Sequence, residues 1–247
     1  MKNDWVAFGL PNFFMEKQMK RHIIPVFVPH YGCPHQCVFC NQHKITGSDA
    51  MMTAEYAKDI IEEALSWQTR SAEKEVAFYG GSFTGIEQEL QDELLGAAYE
   101  YVKAKKVNSI RISTRPDYID KKILKRLKKY KVKTIELGVQ STNNYILERC
   151  KRGHTFADVV KASKLIRRYR FTLGHQMMIG LPDSTEQDDI TTAKDLIKLK
   201  PKMVRIYPVL VIKGTKLEEE YNNGDYEPLT VNQAVERCKE LCYLFGN

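Results

Sequence analysis

Long apolar runs are missing from this sequence. No stretch approaches the ~20 consecutive apolar residues that span a bilayer, so no membrane-crossing helix is expected. The first twenty residues scatter Lys2, Asp4, Pro11, Glu16 and Lys17 among apolar ones. That interrupts the continuous hydrophobic region of a secretory leader and makes a cytoplasmic protein the expectation. Internal repeats and low-complexity linkers are absent too. A disulfide scaffold is excluded because it belongs to small domains in oxidising compartments, whereas this chain has 247 residues and only six cysteines. No pair of residues stands out as a catalytic acid and base.

What is present is a mild excess of positive charge and a regular alternation of strands and helices. Thirty-eight Lys+Arg against 31 Asp+Glu give a formal charge of +7, which suits a polyanionic partner without requiring one. Strands are predicted at Ile23 to Val28, Glu75 to Tyr79, Ser109 to Ser113, Thr134 to Val139, Thr172 to Ile179 and Met203 to Val211. Helical spacing links Tyr56, Ile60, Ile61, Ala64 and Leu65, and recurs from Leu90, from Ile123 and from Ile190, with a last helix at Val231 to Phe245. Six βα units predict a parallel sheet covered by helices. A full (β/α)8 barrel takes about 250 residues, so the expectation is an α/β fold, an open, partial (β/α)6 TIM-like barrel. Residues 21–247 would form its one domain and residues 1–20 a surface extension.

Three thiols crowd into the eight residues Cys33-Pro34-His35-Gln36-Cys37-Val38-Phe39-Cys40, directly after the first strand. Three soft ligands on one short loop can hold three irons of a cubane cluster and leave the fourth iron open. A structural zinc site is the rival, with His30, His35 or His43 as fourth ligand.

The CxxxCxxC spacing, with Phe39 before the last Cys, resembles the signature of the radical SAM enzymes. The resemblance implies a 4Fe-4S cluster on Cys33, Cys37 and Cys40. Its free iron would chelate S-adenosylmethionine, and one electron would cleave the sulfonium to a 5'-deoxyadenosyl radical. It also implies a partial barrel with the cluster loop after strand one, and an electron donor such as flavodoxin or ferredoxin. On the expectation that the loop lies outside the hydrophobic core, Cys33→Ala should abolish cluster loading and spare the fold.

The ends of the strands carry further matches. Gly80-Gly81-Ser82-Phe83-Thr84 stands where the family usually has Gly-Gly-Glu, and together with Arg152-Gly153-His154-Thr155 it resembles the Elongator protein 3 and oxygen-independent coproporphyrinogen oxidase-like branch. Carried over, Phe39 would pack beside the adenine and Gly80, Gly81 and Ser82 would contact the methionine moiety. Ser113, Gln140, Arg152 and Gln176 would surround the ribose and carboxylate. Arg205 and Tyr207 are candidate substrate contacts, although strand periodicity equally allows Tyr207 in the core. Glu136, Gly138 and Gln140 share one strand face at period two. A buried acid and amide there need partners, for which a ligand is a natural source.

tRNA is the expected substrate. A tetrapyrrole-like small molecule is the alternative for the same core, and a non-catalytic cluster-, haem- or zinc-binding protein the alternative from another class. The Elongator protein 3 branch continues into an acetyltransferase domain, so the sequence is expected to be a truncated form or a stand-alone relative. The run from Lys121 to Lys133 holds eight basic residues and no acid. Its ordinary reading is a solvated helix face, with an RNA surface as the other. Cys150, and Cys238 with Cys242 on the apolar stripe of the last helix, read as small buried hydrophobes.

Overall fold

The computed structural model describes residues 21–28, 37–41, 52–67 and 73–246. Cys33, His30, His35, His43 and the 1–20 extension lie outside them. Among the described residues the six strands are β1 (Arg21–Val28), β2 (Glu73–Gly80), β3 (Ser109–Thr114), β4 (Val132–Gln140), β5 (Thr172–Ile179) and β6 (Met203–Pro208). They pair in sequence order, every neighbour parallel, in one sheet with β1 and β6 at its edges. The sheet curls into a half-barrel, the partial (β/α)6 architecture expected from the alternation.

The helices are α1 (Ala54–Ser66), α2 (Gln88–Lys103), α3 (Lys121–Lys129), α4 (Asn144–Arg149), α5 (Phe156–Arg168), α6 (Glu186–Lys198), α7 (Lys216–Asn223) and α8 (Val231–Gly246). Their starts are chemically marked. Thr53, Thr155, Thr185 and Thr215 cap α1, α5, α6 and α7 by accepting from backbone N–H groups, and Asp158 and Asp188 complete capping boxes on α5 and α6. Among the described residues no helix is long and apolar enough to cross a membrane.

Period two decides what each strand face does. One face carries Ile24, Val26, Val76, Phe78, Ile110, Ile112, Ile135 and Leu137, all 0% exposed and packed with the helices in one core. The other face turns inward, and it is charged. Glu75, Arg111 and Glu136 are buried there, where a (β/α)8 barrel ordinarily stacks branched aliphatics.

β6 ends earlier than the apolar run to Val211 predicts. Pro208 pairs with Ile179, the last residue of β5, so the partner strand stops there. Only Val209 N–H still reaches Ile179 O, at 3.0 Å. Two helix-spaced thiols also separate: Cys238 is half-buried against the core, whereas Cys242 is exposed and not on the buried stripe. The residue of α8 that enters the core is Leu241.

Candidate active site

The carboxyl ends of the strands open into a cavity of about 560 Å³. Its lining brings together Cys37, Phe39, Cys40, Gly80, Gly81, Ser82, Ser113, Gln140, Arg152, Gln176, Arg205 and Tyr207, all the described residues singled out in the sequence. Residues that the motifs did not single out as site residues join them, chiefly Phe27, Tyr79, Thr114 and Arg115. Tyr79 was legible in principle, since it stands on the inward face of β2 one residue before Gly80.

The described end of the thiol loop is buried, whereas the loop was expected to lie outside the core; Cys33 itself is outside the described residues. Cys37, Val38 and Phe39 are buried in an apolar cluster of their own with Ile146, Cys150, Leu181, Val209 and Leu217. Val38 N–H donates to Cys150 O at 3.3 Å, and Leu217 N–H donates to Val38 O at 2.8 Å. This end of the loop is therefore held between the end of α4 and the start of α7. Burial pushes the Cys150 thiol up to about 12, which suits the packing role read from the sequence.

Arg152 crosses the base of this loop. Its Nη1 lies 3.2 Å from Cys37 Sγ and its Nη2 donates to Gly138 O at 2.8 Å. The guanidinium thus places positive charge beside a sulfur whose ligated form is anionic. Arg152 Nε and Gln140 Oε1 are buried and have no hydrogen-bond partner among the described residues. Gln140 sits where the β4–β5 register slips between Gly138 and Gln140, with φ of 70°. The bulge is why strict period two does not describe this strand end.

Two glycines keep the wall thin. A Cβ on Gly80, whose φ is +117°, would fall 2.1 Å from Val28 O, so no other residue fits there. A Cβ on Gly138 would crowd Gln140 Nε2 at 3.3 Å and meet Arg152 Nη2 at 3.5 Å. Ser82 is 1% exposed and spends its hydroxyl internally. Its Oγ lies 2.8 Å from Thr114 Oγ1 and accepts from Arg115 N–H at 3.3 Å.

Below the cavity runs a buried ionic chain. Arg111 pairs with Glu75 at 2.6 Å and with Glu136, while Ser109 donates to Glu75 at 2.9 Å. Glu136 is also held by Arg205 at 3.1 Å and by Gln176 Nε2 at 2.9 Å. Protein cations therefore satisfy Glu136, where the sequence reading allowed a ligand. Gln176 Nε2 also donates to Ser113 Oγ at 3.2 Å. Arg205 donates to Tyr79 Oη at 2.6 Å and its Cζ lies 5.2 Å from the Tyr79 ring centroid. Burial, then Glu136, pushes the Tyr79 hydroxyl up to about 12, so it stays protonated. Tyr207 is 40% exposed at the rim and is not a core residue.

His154 and His175 are buried and neutral. Burial, aided at His154 by Arg152, drives each down to about 4. Nε2 of His154 lies 3.2 Å from Val139 O, and that of His175 lies 2.9 Å from Ser163 Oγ. A folded pKa below the unfolded one means that the unfolded state binds protons first. Their contribution is expected to be full above about pH 6.5 and to be lost as pH falls through 4, at about 3 kcal/mol per histidine. Denaturant midpoints measured against pH check this, and His175→Gln should remove its half of the slope.

The site fits the cofactors that the sequence resemblance implies. Cys37 and Cys40 offer soft donors, with Cys33 outside the described residues. Gln140 and Arg152 line the cavity, and each keeps one buried polar atom with no hydrogen-bond partner among the described residues.

Comparison with known proteins agrees. The radical SAM superfamily pattern matches residues 27–196, and the radical SAM C-terminal domain matches residues 201–245. An uncharacterized protein of Methanocaldococcus jannaschii is 32% identical over 244 residues, covering 92% of this chain and 74% of the relative. The tRNA uridine(34) acetyltransferase of the same organism is 34% identical over 182 residues, covering 66% of this chain and 34% of the relative. The chain thus spans about a third of that acetyltransferase's length.

Among solved structures, the Elp3 of Methanocaldococcus infernus with residues 1–46 deleted gives a TM-score of 0.70 at 27% identity, over 90% of this chain and 53% of that one. Coproporphyrinogen III oxidase from Escherichia coli gives 0.60 at 16%, over 93% and 54%, a likeness of fold alone. With a family pattern running through most of the sequence and a half-barrel whose mouth gathers its cysteines and glycines, the chain belongs to the radical SAM superfamily.

Proposed function

We propose that this radical SAM enzyme holds a 4Fe-4S cluster on Cys33, Cys37 and Cys40, with S-adenosylmethionine in the adjoining cavity, and modifies a nucleoside of tRNA. The observation that carries the reading is the convergence of Cys37, Cys40, Gly80, Gly81, Gln140 and Arg152 on one cavity at the strand ends. When bound, the two cofactors supply reductive cleavage of the sulfonium and, from it, hydrogen-atom abstraction at a substrate C–H bond.

The chain's own residues do the positioning. Phe39 supplies an apolar wall, Gly80 and Gly81 let a ligand approach the backbone, and Gln140 and Arg152 offer an acceptor and a donor. Ser82, its hydroxyl committed to Thr114 and Arg115, contributes through its main chain. Ser113 and Gln176 tie this half of the cavity to Glu136. Arg205 and Tyr207, with Phe27 and Tyr79, form the remaining wall and are proposed to face the substrate. With substrate bound, Phe27, Tyr79 and Tyr207 would help to keep water from the reacting centre.

The choice of tRNA is supported by the acetyltransferase relative and by the basic balance of the chain. An electron donor such as flavodoxin or ferredoxin belongs to the same reading. Anaerobic reconstitution with iron and sulfide, reduction, and assay for 5'-deoxyadenosine test it. The product is expected with S-adenosylmethionine present and is expected to rise on adding tRNA. Absence of 5'-deoxyadenosine from iron-loaded protein would overturn the reading.

A further inference from the structure

At the amino ends of β3, β4, β5 and β6, the face opposite the cavity, the four helix-to-strand turns have a single composition. Residues 103–109, 128–134, 167–172 and 198–203 hold thirteen lysines and arginines and no acid. All thirteen side chains are exposed. Each turn passes through a left-handed residue, and in every case that residue is a cation: Lys105 (φ 57°), Lys131 (60°), Arg170 (60°) and Lys200 (54°). Left-handed positions favour Gly or Asn, so the choice of a long cation four times over is not dictated by the turn.

Adjacent parallel strands place these turns side by side. With strands ~4.8 Å apart, the four turns follow an arc of at least ~14 Å. Aromatic rings are set among the charges: Lys103 lies 5.2 Å from the Tyr99 ring and Lys128 lies 5.9 Å from both Tyr169 and Phe171. Two depressions open on the same face, about 380 Å³ beside Arg167, Lys200 and Lys202 and about 480 Å³ beside Lys74, Lys105 and Lys106.

Nearby acids offset little of this. Asp195 takes Lys198 at 2.8 Å, and Glu62 stands 3.5 Å from Lys106. No carboxylate among the described residues pairs with Lys131, Lys133, Arg170, Lys200 or Lys202. Complementing helix macrodipoles explains a cation in each last turn. It does not reach Lys133, on β4 itself, or Lys202, beyond the end of α6.

We propose that this basic arc is a docking surface for the sugar–phosphate backbone of RNA. It rests on the tRNA reading above only for the choice of RNA among polyanions. Repeated, exposed cations, few of them paired with acids, with interleaved rings suit a chain of phosphates, and the binding is independent of base sequence. An acidic electron-transfer partner must seat close to Cys37 and Cys40, at the other end of the barrel, whereas an RNA many nucleotides long can lie on the arc and still present a distant nucleoside to the cavity.

The test is fluorescence anisotropy of labelled unfractionated tRNA with the full chain between 50 and 200 mM salt, together with anionic phospholipid vesicles. A variant combining Lys105→Asn, Lys131→Asn, Arg170→Asn and Lys200→Asn keeps residues suited to the left-handed turns. It is expected to bind tRNA about tenfold or more weakly, with a log K against log salt slope shallower by about 3. Lys133→Gln with Lys202→Gln, neither of them at a left-handed position, should weaken binding about threefold or more and decides the matter if the first variant does not fold. Unchanged affinity and slope in the folded variants overturn the proposal, as does wild-type binding to vesicles in preference to tRNA. Formation of 5'-deoxyadenosine without RNA stays at the wild-type level in both variants, so loss of RNA docking and failure of the enzymatic reading register separately.

Discussion

Replacing Arg111 by leucine is expected to cost about 3–5 kcal/mol of unfolding free energy, the penalty of breaking a buried ion pair from one side. Arg111 is 2% exposed and is the only described cation touching both Glu75 and Glu136. Burial alone would lower its pKa, but the Glu75 and Glu136 carboxylates hold it above the ordinary arginine value. With the guanidinium gone, Glu75 keeps only hydroxyl donors from Ser109 and Thr134. Glu136 keeps Arg205 and Gln176, so the greater strain falls on Glu75. Adding Glu75→Gln to Arg111→Leu should therefore recover a substantial part of the loss, because it removes the uncompensated charge. Urea denaturation of the three chains measures this. Equal stability of wild type and Arg111→Leu would show that the chain carries no such energy.

The second large effect concerns the thiol loop. Cys40→Ala is expected to reduce iron in anaerobically reconstituted protein from about four atoms per chain to near background, with loss of visible absorption and of 5'-deoxyadenosine. Cys40 is chosen over Cys37 because it is only half-buried. Cys37 packs in the apolar cluster under the loop and accepts from Arg152, so its removal mixes ligand loss with packing loss. Circular dichroism and the unfolding midpoint of Cys40→Ala should match those of iron-free wild type. Full iron content in that variant, or a colourless zinc-loaded wild type, would contradict a three-cysteine cluster.

These two predictions rest on different kinds of information. Cys40 was readable directly from spacing, since three thiols within one short loop mark a candidate metal centre whatever surrounds them. Arg111 was not. It stands in Ser-Ile-Arg-Ile-Ser, an unremarkable alternating strand, and nothing local says that its inward face meets carboxylates from β2 and β4. The same holds for Tyr79, which gains meaning only because Arg205 arrives from β6. Glu136 was visible as an acid within an apolar strand, yet its partners come from β3, β5 and β6.

Local chemistry thus determined the alternation of strands and helices and the parallel half-barrel, and the family resemblance named the residues at its mouth. Hydrophobic period, threonine and aspartate caps and loop glycines all act within a few positions of where they are written. Tertiary structure alone decided the charged interior, the burial of Cys37 to Phe39 against α4 and α7, the bulge at Gln140 and the gathering of four basic turns on one face. Each of these depends on which strands lie next to one another. Neighbourhood across a sheet is set by chain topology, which joins residues dozens of positions apart and leaves no trace in the local pattern.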